Sequence, residues 1–359
     1  MLRPRTPLQL LRLLILLYIF LLSITLLGKS FGLFGKDTAL DLLSTVESPA
    51  VGLLVGILAT ALIQSSSTTT SVVVGLVGSG AVPVLVAIPI IMGANIGTSI
   101  TNMLVSLGHI TRKAEFRRAF AAATVHDMFN LCSVAVLFPL QISTNFIGIV
   151  ADKLELVVEG MGGLTFASPV KLVTKPLVDF VIDVTGHSGI LVLLVGLALL
   201  FLALHQIVKT IRKLVLSRVE EFFSRHIFKN TLRSLLLGMA LTVLVQSSSV
   251  TTSLVVPLVG AGVLNLRQIY PYTLGANIGT TVTAMLAALA TGSPAAVTVA
   301  LSHMVFNLCG TAIFLPARAV PIFMAEKLTL FAVRNKLLPI LYILVVFFLL
   351  PVVLVFLMR

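Results

Sequence analysis

Two short polar segments in a mostly apolar chain carry the side chains best suited to chemistry. Gln64 is followed by seven hydroxyl residues, Ser65–Ser71, and Gln246–Ser253 repeats seven of these eight residues. Hydroxyls and free N–H groups at a helix N-terminus bind anions, and unwound carbonyls with the glutamine oxygen suit a small hard cation. The segments predict neighbouring anion and cation sites. Back-bonding of each hydroxyl to its own helix is the alternative.

A second pair of motifs follows each serine cluster. Gly93–Thr98 recurs as Gly275–Thr280, with the same spacing along the chain that separates the two serine clusters. Two glycines around an asparagine favour an unwound stretch that turns Asn95 or Asn277 toward the serines. The other interpretation is that the small residues allow two helices to approach closely.

The third motif contains the one acidic residue of a predicted membrane span. His126–Cys132 recurs as His303–Cys309 at a slightly shorter spacing, but Asp127 becomes Met304. Acids inside membrane spans are functional by default, so Asp127 is predicted to act once per protein, with capping of a broken helix as the alternative. His126 and His303 are interpreted as hydrogen-bonding or packing residues. Three matches in one order indicate a duplicated chain.

Composition favours a bilayer as the solvent of this chain. Only 11% of the 359 residues are charged and 58% are hydrophobic, whereas a soluble domain has about 25% charged residues. The long apolar runs predict an all-α polytopic membrane protein, and the net charge of +12 is assigned to positive-inside bias and not to nucleic-acid binding. Two cysteines without a CxxC motif predict neither a disulfide scaffold nor a zinc site.

Five continuous apolar runs predict transmembrane helices near residues 8–27, 119–141, 188–208, 295–316 and 337–358. A cleaved signal peptide is the alternative for the first run. Repeats and charge divide the chain into an N-terminal helix with an external segment (1–49), repeat 1 (50–141), an external loop with a linking helix and a basic cytoplasmic segment (142–233), repeat 2 (234–316), and a cytoplasmic segment with a C-terminal helix (317–359).

The distribution of charge predicts that the two repeats are inverted. Segments 1–12, 109–118, 209–233 and 317–336 hold 18 of the 25 basic residues and read as cytoplasmic, whereas the acid-rich segments 29–47 and 141–187 read as external. Equivalent flanks of the two repeats then lie on opposite sides. This requires each serine cluster to form a re-entrant helical hairpin that enters and leaves on one face, packed in protein or lining an aqueous cavity. Segment 151–187 is predicted as a partly ordered external loop or an interfacial helix.

Scarcity of charge near the serines bears on mechanism. Residues 50–108 contain no charged side chain and residues 234–291 contain only Arg267. An anion bound there has no Arg or Lys partner, and its transfer into low dielectric is costly. A co-bound cation offsets that cost, which makes sodium coupling an electrostatic hypothesis.

Over residues 50–316 these motifs resemble the type II sodium/phosphate cotransporter family. The resemblance implies that the hairpin residues hold inorganic phosphate, namely Gln64, Ser65, Ser66, Ser67, Ser247, Ser248 and Ser249. It implies a sodium site from Gln246, Ser247, Thr280 and Thr283, with Gln64, Ser65, Thr98 and Thr101 in the pseudo-symmetric position. It assigns an extra sodium and electrogenic transport to Asp127. Asn95, Asn277, Asn130 and Asn307 are supporting residues.

The predicted function is therefore sodium-coupled phosphate symport into the cell by alternating access, in a multi-pass protein of the plasma or inner membrane. Phosphate, sodium and the lipid bilayer are the expected partners, and no cofactor is expected besides sodium as the coupling ion. The sequence does not define an oligomeric state. An anion channel or a symporter of another oxyanion is the alternative, and an intramembrane enzyme using Ser66 or Ser248 lacks a base near the serine.

Overall fold

The computed structural model of the protein describes residues 6–33, 48–160, 167–222, 228 and 230–358. Every regular element in these ranges is helical, as the apolar runs predicted. Several charge-based predictions fall outside the described residues: the basic N-terminus before residue 6, most of the external segment 29–47, and part of the basic segment 209–233.

The helices are numbered here in chain order. They are α1 Thr6–Leu33, α2 Pro49–Ile63, α3 Ser66–Gly78, α4 Val84–Gly97, α5 Ile100–Leu107, α6 Lys113–Thr144, α7 Phe146–Gly160, α8 Ala167–Val184, α9 Gly189–Phe222, α10 Thr231–Val245, α11 Ser248–Ser253, α12 Val255–Gly260, α13 Leu266–Thr291, α14 Pro294–Phe314, α15 Ala319–Ala332, α16 Leu337–Leu344, a π-helical turn Val345–Leu349 and α17 Leu350–Leu357.

Seven helical stretches of the described residues are long and apolar enough to cross a membrane. All five runs predicted from sequence coincide with such stretches, and the remaining two contain the Gly-Ala-Asn-Ile-Gly motifs. The stretches are Leu11–Ser30, Val84–Leu107, Lys113–Thr144, Gly189–Ile207, Leu266–Thr291, Pro294–Phe314 and Leu337–Leu357. The prediction of a multi-pass, all-helical membrane protein is therefore confirmed.

Helix ends follow the local sequence. Pro49 occupies the start of α2, where its missing N–H costs nothing. Asn265 and Gln268 form a reciprocal capping box at the start of α13. Asn145 ends α6 in the left-handed conformation, with φ of 51°, which asparagine tolerates better than most residues. After it, the described part of segment 151–187 includes most of α7 and all of α8, which agrees with the helical alternative over the loop.

Aromatic side chains form the centre of the core between α6, α13 and α14. Phe129 meets the rings of Tyr270 and Phe314 edge-on, with centroids 6.3 and 6.5 Å away. The Tyr270 hydroxyl donates to the Phe314 carbonyl oxygen at 2.9 Å. These contacts fix the two helices that carry the third motif, α6 and α14, against α13.

The prediction of an unwound Gly-Ala-Asn-Ile-Gly stretch is wrong. Gly275–Thr280 lies inside the continuous helix α13, and Gly93–Gly97 forms the last turn and more of α4, with only residues 98 and 99 between α4 and α5. The glycines instead allow two helices to touch. A Cβ atom on Gly93 would overlap the carbonyl oxygen of Leu53 in α2, and one on Gly275 would overlap that of Leu235 in α10.

We expect Gly93→Ala to lower the melting temperature by several degrees, because a methyl group would force α2 and α4 apart. Gly75→Ala is the matched control, since its nearest neighbour would be the Leu27 Cβ at an ordinary 3.8 Å. Alanine at that helical position is expected to be neutral or stabilising, by up to about 1 kcal/mol. Thermal unfolding of the two purified variants, monitored by size-exclusion chromatography, measures both melting temperatures. Equal melting temperatures would contradict the close approach.

Candidate functional site

Each serine cluster lies at a sharp break between two helices. Gln64 ends α2 in the left-handed conformation, with φ of 58°, and Gln246 ends α10 with φ of 57°. They are two of four non-glycine residues with positive φ among the described residues. Such strain costs of order 1 kcal/mol or more and is concentrated at functional sites. We call Gln64–Ser67 tip 1 and Gln246–Ser249 tip 2.

A serine caps the helix that follows each break. Ser65 accepts a hydrogen bond from the Thr68 amide at 3.2 Å, and Ser247 accepts one from the Val250 amide at 3.3 Å. N-capping satisfies one free amide and leaves the N–H groups before it without partners in the helix. Each tip therefore presents hydroxyl and amide donors together.

The glutamine of each tip is held by the same pair of bonds. The side-chain amide group of Gln64 donates to the Ala61 carbonyl oxygen at 2.6 Å, and its Oε1 accepts from the Thr101 hydroxyl at 3.0 Å. In the second copy, Gln246 donates to the Val243 carbonyl and accepts from the Thr283 hydroxyl at 2.7 Å. The predicted Gln–Thr groupings therefore meet in both copies.

Other predicted sodium ligands do not turn toward the glutamines. The Thr98 hydroxyl donates to the Ala94 carbonyl oxygen at 2.9 Å, and the Thr280 hydroxyl donates to that of Ala276 at 3.0 Å. Both are back-bonds within one helix. The structure therefore brings together part of each predicted sodium set and leaves these two threonines bonded to α4 and α13.

The two tips touch. The Ser67 hydroxyl donates to the Gln246 carbonyl oxygen at 3.2 Å. Ser66 and Ser67 are buried in tip 1, as are Ser248 and Ser249 in tip 2. One predicted phosphate residue, Ser67, thus contacts the backbone of the other tip, although the two tips lie in opposite halves of the sequence.

A buried histidine links the repeats next to the tips. His126 Nε2 lies 2.6 Å from Asn277 Oδ1, and its Nδ1 lies 3.3 Å from Asn102 Nδ2. Because an amide oxygen only accepts and an amide nitrogen only donates, these amide orientations require the neutral tautomer protonated at Nε2. His126 thus forms hydrogen bonds on both sides of its ring, in agreement with its interpretation as a hydrogen-bonding or packing residue.

This network extends in both directions. Asn277 donates to Asn130 Oδ1 and Asn130 donates to the Asn95 carbonyl oxygen, each at 2.7 Å. On the other side, the Thr252 hydroxyl lies 3.0 Å from Asn102 Oδ1 and 2.7 Å from the Ser248 carbonyl oxygen. Tip 2 is therefore coupled to α5 and α6 of the first repeat. Sequence reasoning missed Asn102, whose polarity inside an apolar span was the available signal, and assigned no separate role to Thr252 of the second hydroxyl cluster.

The equivalent bonds in the other direction are not formed. The Asn95 amide group donates to Ile91 of its own helix at 2.9 Å, and that of Asn307 donates to the His303 carbonyl at 3.0 Å. His303 Nδ1 and Asn307 Oδ1 are buried without a partner among the described residues. An unsatisfied buried polar atom costs about 1–3 kcal/mol. Equivalent residues of the two repeats are therefore in different states.

Asp127 is fully buried, and its hydrogen-bond partner belongs to the C-terminal span. The Tyr342 hydroxyl of α16 donates to Asp127 Oδ2 at 2.6 Å. Asp127 Oδ1 forms no well-aligned hydrogen bond among the described residues, and the Ser99 hydroxyl lies close to the same carboxyl group. Tyr342 was not predicted, although it is the only polar side chain of the C-terminal span Leu337–Leu357, which was the available signal.

Comparison with known proteins gives consistent matches. A model of the family described as Na+/Pi-cotransporter matches residues 19–166 and 199–350. The chain is 34% identical to sodium-dependent phosphate transport protein 2A of Ovis aries over 93% of this chain and 65% of that protein. It is 32% identical to sodium-dependent phosphate transport protein 2B of Homo sapiens over 93% of this chain and 63% of that protein. The chain thus spans less than two thirds of these relatives. No solved structure matches it.

Asn277→Ala is expected to destabilise the protein by roughly 1–3 kcal/mol for each group it leaves unpaired, since the His126 and Asn130 side chains lose their partners in a buried site. The matched control is Asn95→Ala, the equivalent position of the first repeat, where the side chain bonds only within its own helix. Thermal unfolding of the two purified variants compares them directly. If Asn95→Ala were as destabilising as Asn277→Ala, the network would not have the asymmetry described.

Proposed function

Because the chain belongs to the Na+/Pi-cotransporter family, we propose that it carries inorganic phosphate across the membrane together with sodium. The contact between the two tips, through the Ser67 hydroxyl and the Gln246 carbonyl, carries this proposal. This contact brings together the serine hydroxyls and free amides of both tips, beside the side-chain oxygens of Gln64 and Gln246. Phosphate has the matching acceptor oxygens, and Na+ takes oxygen ligands.

Phosphate binds to the serines of both tips in this proposal. The hydroxyl and N–H donors lie at the start of α3, which is the positive end of the helix dipole. Both features favour an anion. The phosphate residues are Gln64, Ser65, Ser66, Ser67, Ser247, Ser248 and Ser249. Since no cationic side chain lies in these segments, the negative charge of phosphate is balanced by dipoles and by the coupling ions.

Sodium binds at the Gln–Thr pairs. Gln246 Oε1 and the Thr283 hydroxyl provide two oxygens in repeat 2, and Gln64 Oε1 and the Thr101 hydroxyl provide two in repeat 1. Ser65 and Ser247 adjoin the glutamines. Thr98 and Thr280 join these sites only if their hydroxyls leave their own helices, so we assign them a secondary role.

The helix lengths support re-entrant hairpins. α2 has 15 residues and α3 has 13, which gives about 22 and 20 Å at a rise of 1.5 Å per residue. Each is shorter than the ~30 Å hydrocarbon core. α10, with 15 residues, followed by Ser248–Gly260, repeats the arrangement. With one hairpin in each repeat, the charge distribution leads to inverted repeats.

The unequal hydrogen bonds of the two repeats support alternating access. His126 bonds to Asn277 across the repeats, whereas His303 Nδ1 has no partner among the described residues and Asn95 bonds within its own helix. In an inverted-repeat transporter, exchange of the two conformations opens the site to the other side. We infer that the alternate state forms the His303–Asn95 bond and breaks the His126–Asn277 bond.

Asp127 provides an additional cation site in this proposal. Because the second repeat has Met304 at the equivalent position, one extra positive charge moves with each phosphate, and transport is electrogenic. Its unpaired Oδ1 is available to a cation, and Tyr342 orients Oδ2 from the C-terminal span. Transport is inward across the plasma or inner membrane.

The assay that tests this function is phosphate uptake into proteoliposomes. An inward Na+ gradient should drive uptake, and Ser66→Ala or Ser248→Ala should reduce it at least about tenfold, because each removes a donor to phosphate while burying a methyl-sized side chain in the same space. Ser79→Ala, at the far end of α3 and away from tip 1, is the matched control and should transport normally.

Equal uptake in choline medium would overturn sodium coupling and favour a channel. Normal uptake by both tip variants would overturn the phosphate site. Competition by sulfate and arsenate in the same assay separates phosphate from other oxyanions.

Thr283→Val should raise the sodium concentration for half-maximal uptake several-fold, because it removes one sodium ligand and the bond that holds Gln246 Oε1. Thr273→Val is the matched control on the same helix, since its buried hydroxyl bonds only to the Tyr270 carbonyl. Sodium titration at saturating phosphate measures the effect. An unchanged sodium dependence in Thr283→Val would remove this threonine from the site.

A further inference from the structure

A cavity of about 490 Å³, with no tip residue in its lining, lies between the start of α6, the start of α13 and α15. Three cationic side chains line it, together with one acid and several apolar groups. The cations are Arg117, Arg118 and Lys327, and the acid is Glu326. The lining therefore has a formal excess of two positive charges.

These cations are not neutralised by described neighbours. None of the three forms a salt bridge with a described acidic residue, Glu326 included. Arg118 Nε donates to the Gly260 carbonyl at 2.8 Å, which fixes the side chain against α12. Lys327 Nζ lies 5.2 Å from the centroid of the Phe323 ring. The cavity thus has at least one positioned guanidinium group and two further positive charges.

The cavity also has an apolar side. Phe323 and Leu330 line it and are 57% and 41% exposed. Side chains of this kind, when exposed on a helix packed against membrane spans, match lipid glycerol and acyl groups. A free inorganic anion would leave them uncovered. A basic group beside an apolar surface therefore fits a phospholipid better than a dissolved phosphate ion.

Its position corresponds to a membrane surface. Arg117 and Arg118 lie in the first two turns of α6, within about 8 Å of its start at 1.5 Å per residue. They belong to the basic segment 109–118, and Lys327 belongs to the basic segment 317–336; both segments carry the positive charge typical of cytoplasmic loops. The cavity brings these two segments together.

We propose that this cavity binds an anionic phospholipid of the cytoplasmic leaflet. The lipid phosphate lies between Arg117, Arg118 and Lys327, and the glycerol and the first acyl carbons cover Phe323 and Leu330. Basic pockets between membrane helices on the cytoplasmic side bind such headgroups. The bound lipid links α15 to α6, the helix that carries His126 and Asp127. This site is separate from the proposed transport site.

The test is native mass spectrometry of the purified full chain titrated with phosphatidylglycerol, with phosphatidylcholine as the neutral lipid. The variant Arg117→Gln/Lys327→Gln removes two cavity cations without touching the Arg118–Gly260 bond. Arg334→Gln/Lys336→Gln is the matched control, because it removes two exposed charges from the same basic segment but outside the cavity. We expect one tightly bound phosphatidylglycerol, weakened roughly 20-fold in the cavity variant and unchanged in the control.

If both double variants bound phosphatidylglycerol equally weakly, the lipid would be attracted by the overall positive charge of the segment. That result would overturn the proposed site. Phosphatidylcholine binding as tight as phosphatidylglycerol would overturn its charge selectivity. Displacement of the lipid by millimolar inorganic phosphate, or unchanged lipid affinity in Phe323→Ala, would indicate a free-anion site and overturn the lipid assignment. Since the readout is lipid binding in detergent, these outcomes do not depend on phosphate transport.

Discussion

The site depends on the close approach of α2 to α4, and of α10 to α13. Along the first pair, Gly93 lies against the backbone of α2, Gly97 lies against Thr60 one turn further, and Thr101 bonds to Gln64 at the next turn. The Gln–Thr bond is thus the last contact of a seam of small residues. The same three contacts recur at the equivalent positions of the second repeat. Without a glycine seam, the glutamine oxygen would not reach the threonine hydroxyl, so helix packing determines the geometry of the proposed sodium sites.

A second constraint is that buried polar groups need partners, and the repeats meet it unequally. The His126–Asn277–Asn130 chain satisfies its members across the repeat boundary. Its counterpart leaves His303 Nδ1 without a described partner. A symmetric arrangement with both sets formed would be the more stable one if geometry allowed it. Competition between the two sets of bonds would give the two states that the proposed alternating-access cycle needs.

Much of the candidate site could be predicted from sequence because its motifs occur twice in the chain. Duplication singled out the glutamines and serines, and their convergence follows from the paired repeats. The Gly-Ala-Asn-Ile-Gly motif was misread because two glycines fit both an unwound helix and a helix contact; only the carbonyl groups of the opposite helix distinguish them. The unequal bonds of Asn95 and Asn277 were also beyond prediction, since identical residues differ there only through their tertiary neighbours. Tyr342 contacts Asp127 across 215 positions of sequence, with no pattern to link them.

Cationic side chains are absent from the two tips and present in the basic cavity, and this distribution bears on the proposed mechanism. Arg117 near the start of α6 and Lys327 of α15 line the basic cavity, whereas residues 50–108 have no cationic side chain. A permanent arginine beside the tips would attract phosphate equally in every conformation, and equal affinity for two states shifts neither. In the proposed function, a sodium ion that arrives and leaves would provide its positive charge only in the loaded state. In the proposed function, neutral hydroxyls, helix dipoles and amide oxygens at the tips would therefore make phosphate binding conditional on sodium, which is the thermodynamic requirement for coupling.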